Sequence, residues 1–146
     1  MTDSLHKKEM TLKAIFINCP NTESKYQKII ELGKDQIKLD EKHRIPENQV
    51  PGCQSIVYMH SYLKGGKVYF ETESDALISS GLAKLLTEVY SGEEPETVLQ
   101  EPPDYLEELG ISTSLTPSRA NGLYSIHLRM KQDALKLLVE SKKNDQ

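Results

Sequence analysis

Two adjacent glycines, Gly65-Gly66, stand between two runs rich in β-branched and aromatic residues, Gln54 to Leu63 and Lys67 to Glu73. A two-residue connection of this composition selects a type I′ or II′ hairpin turn, whose positive φ angles glycine adopts without steric cost. Counting outward from the turn fixes the register. Leu63 faces Val68, Ser61 faces Phe70 and Met59 faces Thr72, and with Val57 these residues make a mainly apolar face for helices to cover. On the opposite face Tyr62 opposes Tyr69, His60 opposes Glu71 and Tyr58 opposes Glu73, so that face is the wetter one.

Helical patterns surround the hairpin. Leu12, Ile15, Phe16 and Cys19 recur at i, i+3, i+4 and i+7 before Pro20, which predicts one helical face and its end. Ser24 and Gln27 have the spacing of a capping box for a second helix, with Tyr26, Ile29 and Ile30 on its apolar face and Gly33 placed to end it. These two helices are expected to form a hairpin. The charged stretch from Lys34 to Gln49 reads as a turn of helix and then a surface loop, anchored by Ile37 and Leu39. Ser74-Asp75 is read as the cap of a third helix, whose Ile78, Leu82, Leu85, Leu86 and Val89 form the broadest apolar stripe in the chain. Gly81 lies inside that helix, where close packing would compensate its cost. Pro95 and Pro102-Pro103 start two short helical pieces. Thr116-Pro117 then starts a long terminal helix marked by Leu123, Ile126, Met130, Ala134 and Leu137.

The whole therefore reads as one α+β domain of 146 residues, a small antiparallel sheet covered on one face by helices. Against 22 acidic residues stand 18 basic ones, scattered rather than gathered, which argues against nucleic acid as a partner. No apolar run reaches the length of a membrane span, and the polar opening residues lack the apolar core of a secretory signal. A soluble, cytoplasmic protein is expected. The two cysteines, Cys19 and Cys53, are expected as free thiols, and with four scattered histidines they match no structural zinc spacing.

The residues best placed for chemistry lie just before the hairpin, in Val50-Pro51-Gly52-Cys53-Gln54-Ser55. Pro51 pre-sets the first corner of a type II turn and Gly52 supplies the positive φ of the second, so Cys53 leaves a turn and enters a strand. A thiol carried on a turn serves chemistry about as often as packing, whereas Cys19, in a helical stripe, reads as a small core residue. Only the thiolate is a good nucleophile, and positive charge or a helix N-terminus favours it. Arg119, in the first turn of the last helix, offers both if the fold brings it near. Its place there runs against the helix dipole. His60 is too far along an extended strand to serve Cys53 as a base, while His43 and His127 stay open as partners in a Cys-His hydrolase.

Four blocks in order resemble the SufE family of sulfur acceptors: Tyr26 to Gly33, Val50 to Ser55, Glu73-Ser74-Asp75-Ala76, and Leu115 to Leu123. The resemblance implies a SufE/NifU-like fold with a third strand that the sequence does not locate. It also implies a SufS-type cysteine desulfurase as partner. That enzyme's pyridoxal phosphate would supply the chemistry that frees sulfur, and this chain would bind no cofactor. Cys53 stands at the family's acceptor position, which receives persulfide sulfur and passes it to the scaffold complex of iron–sulfur cluster assembly while stimulating the desulfurase. The matched blocks place Arg119 near the persulfide or the docking surface, and Gly52, Gln54, Ser55, Asp75 and Asn121 in partner binding. Asp75 also suits a helix start. Lacking a Cys-rich ligand set, the chain does not read as a cluster scaffold. Cys53 is expected to rest tucked against the hairpin and to swing out on docking, with residues 46 to 55 moving. Two other readings remain, an autonomous thiol enzyme such as a hydrolase or peroxidase, and an interaction module in which Cys53 merely packs.

Overall fold

The computed structural model describes residues 2–144. Six helices and one hairpin follow in the order α1 (Asp3–Phe16), α2 (Thr22–Lys34), β1 (Val57–Lys64), β2 (Lys67–Ser74), α3 (Leu77–Tyr90), α4 (Pro95–Gln100), α5 (Asp104–Glu108) and α6 (Pro117–Asn144). Three single 3₁₀ turns, at residues 41–43, 46–48 and 112–114, punctuate the connections.

The hairpin has the register that counting from Gly65-Gly66 gives, from Val57 opposite Ser74 to Lys64 opposite Lys67. Both glycines have positive φ, 61° and 78°, as a type I′ turn requires. Val57, Met59, Val68 and Phe70 are buried on the inner face. On the outer face His60 stacks on Tyr62, and Tyr62 stacks on its opposite residue Tyr69. The expected third strand is not formed among the described residues. Single bridges take its place at each edge, Gln49 with Tyr58 and Val68 with Glu93. β1 also begins at Val57 rather than Gln54, so Cys53 belongs to the loop and not to the strand.

α3 is the central helix. Ser80, Gly81, Leu82, Ala83, Leu85, Leu86, Val89 and Tyr90 are all buried along it, and it packs on β2, α1, α2 and α6. The expected hairpin of α1 on α2 is replaced by packing of both on α3. Gly33 explains why: it lies in the last turn of α2, one residue before the helix ends, and a Cβ there would meet the Leu77 carbonyl oxygen. A Cβ on Gly81 would likewise meet the Ile29 carbonyl oxygen, so paired glycines let the two backbones touch. The Ser80 hydroxyl donates to the Gly33 carbonyl at 3.1 Å and so satisfies it across the same contact.

Other local expectations shift by a few residues. α2 is capped by Asn21 and Ser24, whose side chains and backbones bond reciprocally, rather than by Ser24 and Gln27. α1 ends at Phe16, leaving Cys19 buried beyond its end and Ile15 exposed. Leu39 is buried but Ile37 is 79% exposed, so only one of the two expected loop anchors holds. Ser74 does not begin α3; its hydroxyl donates to the Ile56 carbonyl at 2.8 Å and closes the base of β2. The last helix follows its pattern, with Leu123, Ile126, Met130 and Ala134 buried and Leu137 packed against the core. The Thr116 hydroxyl accepts from the Arg119 amide at 3.4 Å, the cap that Thr-Pro predicts. No described helix is long and apolar enough to cross a membrane.

Candidate functional site

Cys53 sits on a loop that leaves the sheet and returns to it. The Val50 amide donates to the Val57 carbonyl at 2.8 Å, closing residues 51–56 into a loop whose neck residues are 5% and 1% exposed. Pro51 and Gly52 make the turn at its start, Gly52 with φ of 88°, as the Pro-Gly pair predicts. A Cβ on Gly52 would stand 2.5 Å from the Ser125 hydroxyl oxygen, so this backbone lies directly on α6.

The half-buried Cys53 side chain turns inward over a pocket of about 100 Å³. Ile78, Leu82 and Ile126 supply apolar surface to the pocket; Ser79, Ser118 and Arg119 line it as well. Its walls thus come from α3 and the start of α6, and not from the hairpin against which the thiol was expected to rest. Cys53 Sγ lies 3.8 Å from the Gly122 carbonyl oxygen, to which the thiol donates. Gly122 is buried, and a Cβ there would reach to 4.0 Å from the sulfur.

Burial pushes the Cys53 thiol above its ordinary range, so in this arrangement it is protonated at neutral pH and a poor nucleophile. No charge offsets that effect. Arg119 shares the pocket, but its guanidinium lies over the Tyr26 ring at 5.6 Å from the centroid. The thiol at rest is therefore stored rather than activated. Cys19 is also a free thiol, buried apart from this pocket.

Of the sequence-predicted residues, Cys53, Gln54, Ser55 and Arg119 come together around one pocket, with Gly52 beside them on α6. Asp75 and Asn121 are exposed and line no part of it; Asp75 instead borders a shallow surface depression with Glu41, Arg44 and Glu73. Neither histidine that stayed open as a catalytic base reaches the thiol. His43 stacks on His60 with ring centroids 3.5 Å apart. His127 is buried beside Tyr90, and burial lowers its pKa to about 4. His60 is also shifted down, first by burial and then by its stacked neighbour His43. Among the described residues, no group of three or more His, Cys, Asp or Glu is set to hold a metal ion.

Sequence reading missed Ser79, Gly122 and Ile126 as walls of the pocket, and Arg129 altogether. Arg129 lies one turn along α6 from Ser125. Its guanidinium donates to the Gln49 carbonyl at 3.0 Å and the Glu47 carbonyl at 2.7 Å, immediately before the loop neck. The one signal for it in the sequence was the i, i+4 spacing to Asp133, whose carboxylate accepts from Arg129 Nε at 2.9 Å.

Comparison with known proteins places these features in a group. Residues 10–134 match the family model of the Fe-S metabolism associated domain, SufE. A SufE-like protein of Synechocystis is 38% identical over 111 residues, covering 76% of this chain and 70% of that protein. The cysteine desulfuration protein SufE of Plasmodium falciparum is 35% identical over 123 residues, 80% of this chain and 49% of its own length. The chloroplastic/mitochondrial SufE-like protein of Arabidopsis thaliana is 32% identical over 97% of this chain and 38% of its own. The chain thus spans less than half the length of the last two. A solution structure from Thermus thermophilus superposes with a TM-score of 0.73 at 27% identity, covering 90% of this chain and 96% of that one.

Proposed function

The chain belongs to the SufE family, associated with Fe-S metabolism, and from that premise we propose that it accepts sulfur on Cys53 from a SufS-type cysteine desulfurase. The observation that carries the proposal is the resting place of Cys53. It rides a loop of six residues yet points into a small, largely apolar pocket with its proton on. That arrangement suits a carrier, which needs reach during transfer and shelter between transfers.

In the transfer step the Cys53 thiolate attacks the outer sulfur of the desulfurase persulfide. A new sulfur–sulfur bond forms on Cys53 while the donor's own breaks, and the electron pair leaves on the donor cysteine as thiolate. The exchange involves no net oxidation. The loop must first leave the pocket, because the stored thiol is half-buried and protonated. Once it is out, burial no longer raises its pKa, and the thiol returns to its ordinary range, in which a small thiolate fraction is present at neutral pH. Arg119, beside the vacated pocket, is then positioned to meet the anionic sulfur or the partner surface. Gly52, Gln54 and Ser55 move with the thiol, whereas Asp75 and Asn121 would contact the partner from the surrounding surface.

On this reading the protein is a carrier and activator rather than an enzyme in its own right. It binds no cofactor, and pyridoxal phosphate belongs to the desulfurase. The next recipient is the scaffold complex of iron–sulfur cluster assembly. The rival reading, an autonomous thiol hydrolase or peroxidase, draws no support from the pocket: its described lining includes no histidine or carboxylate. The test is to incubate the protein with a SufS-type desulfurase and cysteine and then weigh it. A gain of one sulfur atom's mass, absent from Cys53→Ala, is the expected result. Equal gain in the variant, or none in either, would contradict the proposal.

A further inference from the structure

α6 presents a continuous track to the Cys53 loop. Gly122 accepts from the thiol, Ser125 lies against Gly52, and Ile126 walls the pocket. Arg129 reaches the chain just before the neck. These four residues follow one another at i, i+3, i+4 and i+7, so one face of one helix holds both the cargo end and the base of the loop.

We infer that Arg129 is a positioning residue which clamps the base of the thiol-bearing loop to α6, so that the moving arm is confined to residues 51–56. The guanidinium is fixed by Asp133, and Asp133 is fixed in turn by the Ser61 hydroxyl of β1 at 2.6 Å. Its two terminal nitrogens fork onto the carbonyls of Glu47 and Gln49, two residues apart. The Arg129 side chain is only 16% exposed and its bond to Asp133 is partly buried, so the guanidinium is held in place although the two carbonyls it takes lie at the surface. Just beyond the fork, the Val50–Val57 hydrogen bond shuts the neck. Within the arm, the thiol-to-Gly122 bond is the described hydrogen bond holding residues 51–55 to α6. A fixed base keeps the detached thiol at high effective concentration over its pocket, and so sets how long the arm stays closed.

The inference rests on the carrier reading, but its test does not need the partner. In the free protein at fixed pH, the rate of Cys53 alkylation by iodoacetamide reports the open fraction of the arm, and Cys19 in the same molecule reports global unfolding. Arg129→Gln is expected to raise the Cys53 rate about fivefold to tenfold, with the Cys19 rate unchanged. The midpoint of its pH profile should move down towards that of an ordinary thiol. Arg129→Lys keeps the charge but not the fork, and is also expected to be faster than wild type.

Wild-type rates at Cys53 in both variants, or equal acceleration at both cysteines, would overturn the inference. If the glutamine variant does not fold, the lysine variant and residue-resolved hydrogen exchange of the wild type still decide. The Val50 amide should be protected, and the amides of 52–55 should exchange freely; the reverse pattern would sink the clamp. Failure of the carrier reading would appear instead as absence of sulfur on a wild-type protein whose alkylation still responds to Arg129.

Discussion

Residues 36–50 and residues 51–56 adjoin in sequence and neither contains a long helix or a strand, yet they are held in opposite ways. The first segment is fastened along its length by side chains, its own and those of neighbouring elements. Gln36 exchanges two hydrogen bonds with the Ser74 backbone, at 2.9 and 3.0 Å. The Glu73 carboxylate accepts from the Leu39 amide at 2.6 Å and faces Arg44 at 3.7 Å. His43 stacks on His60, Asn48 bonds the His43 carbonyl, and Arg129 takes the carbonyls of Glu47 and Gln49. The second segment has exposed Pro51, Gly52, Gln54 and Ile56; it is tied at its far end by the Ser74 hydroxyl on the Ile56 carbonyl, and between the ends Gly52 rests on α6 and the one described hydrogen bond inward is the weak sulfur contact of Cys53. Irregular chain is thus divided into a rigid approach and a short free arm, and the boundary falls at the Val50–Val57 neck.

The contrast predicts opposite consequences of substitution on its two sides. The largest effect falls in the arm: Cys53→Ala should abolish sulfur acceptance in a desulfurase assay while changing stability to urea by less than about 1 kcal/mol. A loss of several kcal/mol would recast Cys53 as packing. In the approach, Glu73→Ala should cost about 2–3 kcal/mol, because it strands the Leu39 amide and Arg44, whose Nε is already buried without a partner. Urea denaturation measures it, and a neutral result would show that the segment is not fastened there.

A smaller effect follows from pH. The folded Cys53 pKa is raised, so its contribution to stability is fully present below the ordinary thiol pKa and is lost as pH rises through the folded value. Denaturation curves above about pH 8.5 should therefore fall more steeply for wild type than for Cys53→Ala. Parallel curves would mean the thiol is not buried at rest. The smallest effect is Gln54→Ala, expected to leave stability within about 0.5 kcal/mol, since this residue is exposed in the arm. A larger loss would mean that the arm is bound more firmly than its few contacts imply.

Local rules carried well wherever the chain bonds to itself over short range. Gly65-Gly66 specified the hairpin and every pair in it, and the apolar stripe of α3 marked the central helix. Pro51-Gly52 marked the turn that carries the thiol. The misses share a cause in contacts across long separations. Gly33 does stand at the end of α2, one residue before the last, but its packing role was not legible, because the Leu77 carbonyl that it meets lies on another helix. Ile37 looked like an anchor, but its segment is held by Gln36 and by Glu73 from β2 instead. Asp75 and Arg119 looked alike as matched positions, and only the fold separates the one at the surface from the one in the pocket. Only the i, i+4 pairing of Arg129 with Asp133 was legible; its hold on the loop was not, since the groups that it takes there are backbone carbonyls, which every residue possesses.

When the sulfur donor docks, a short arm should move on a fixed base. Residue-resolved hydrogen exchange of this protein, alone and with a SufS-type desulfurase, tests it directly. Exchange is expected to change at residues 52–56 and to stay unaltered at the amides of 47–50. A change spread evenly over 46–56, or no change at 52–56, would contradict it.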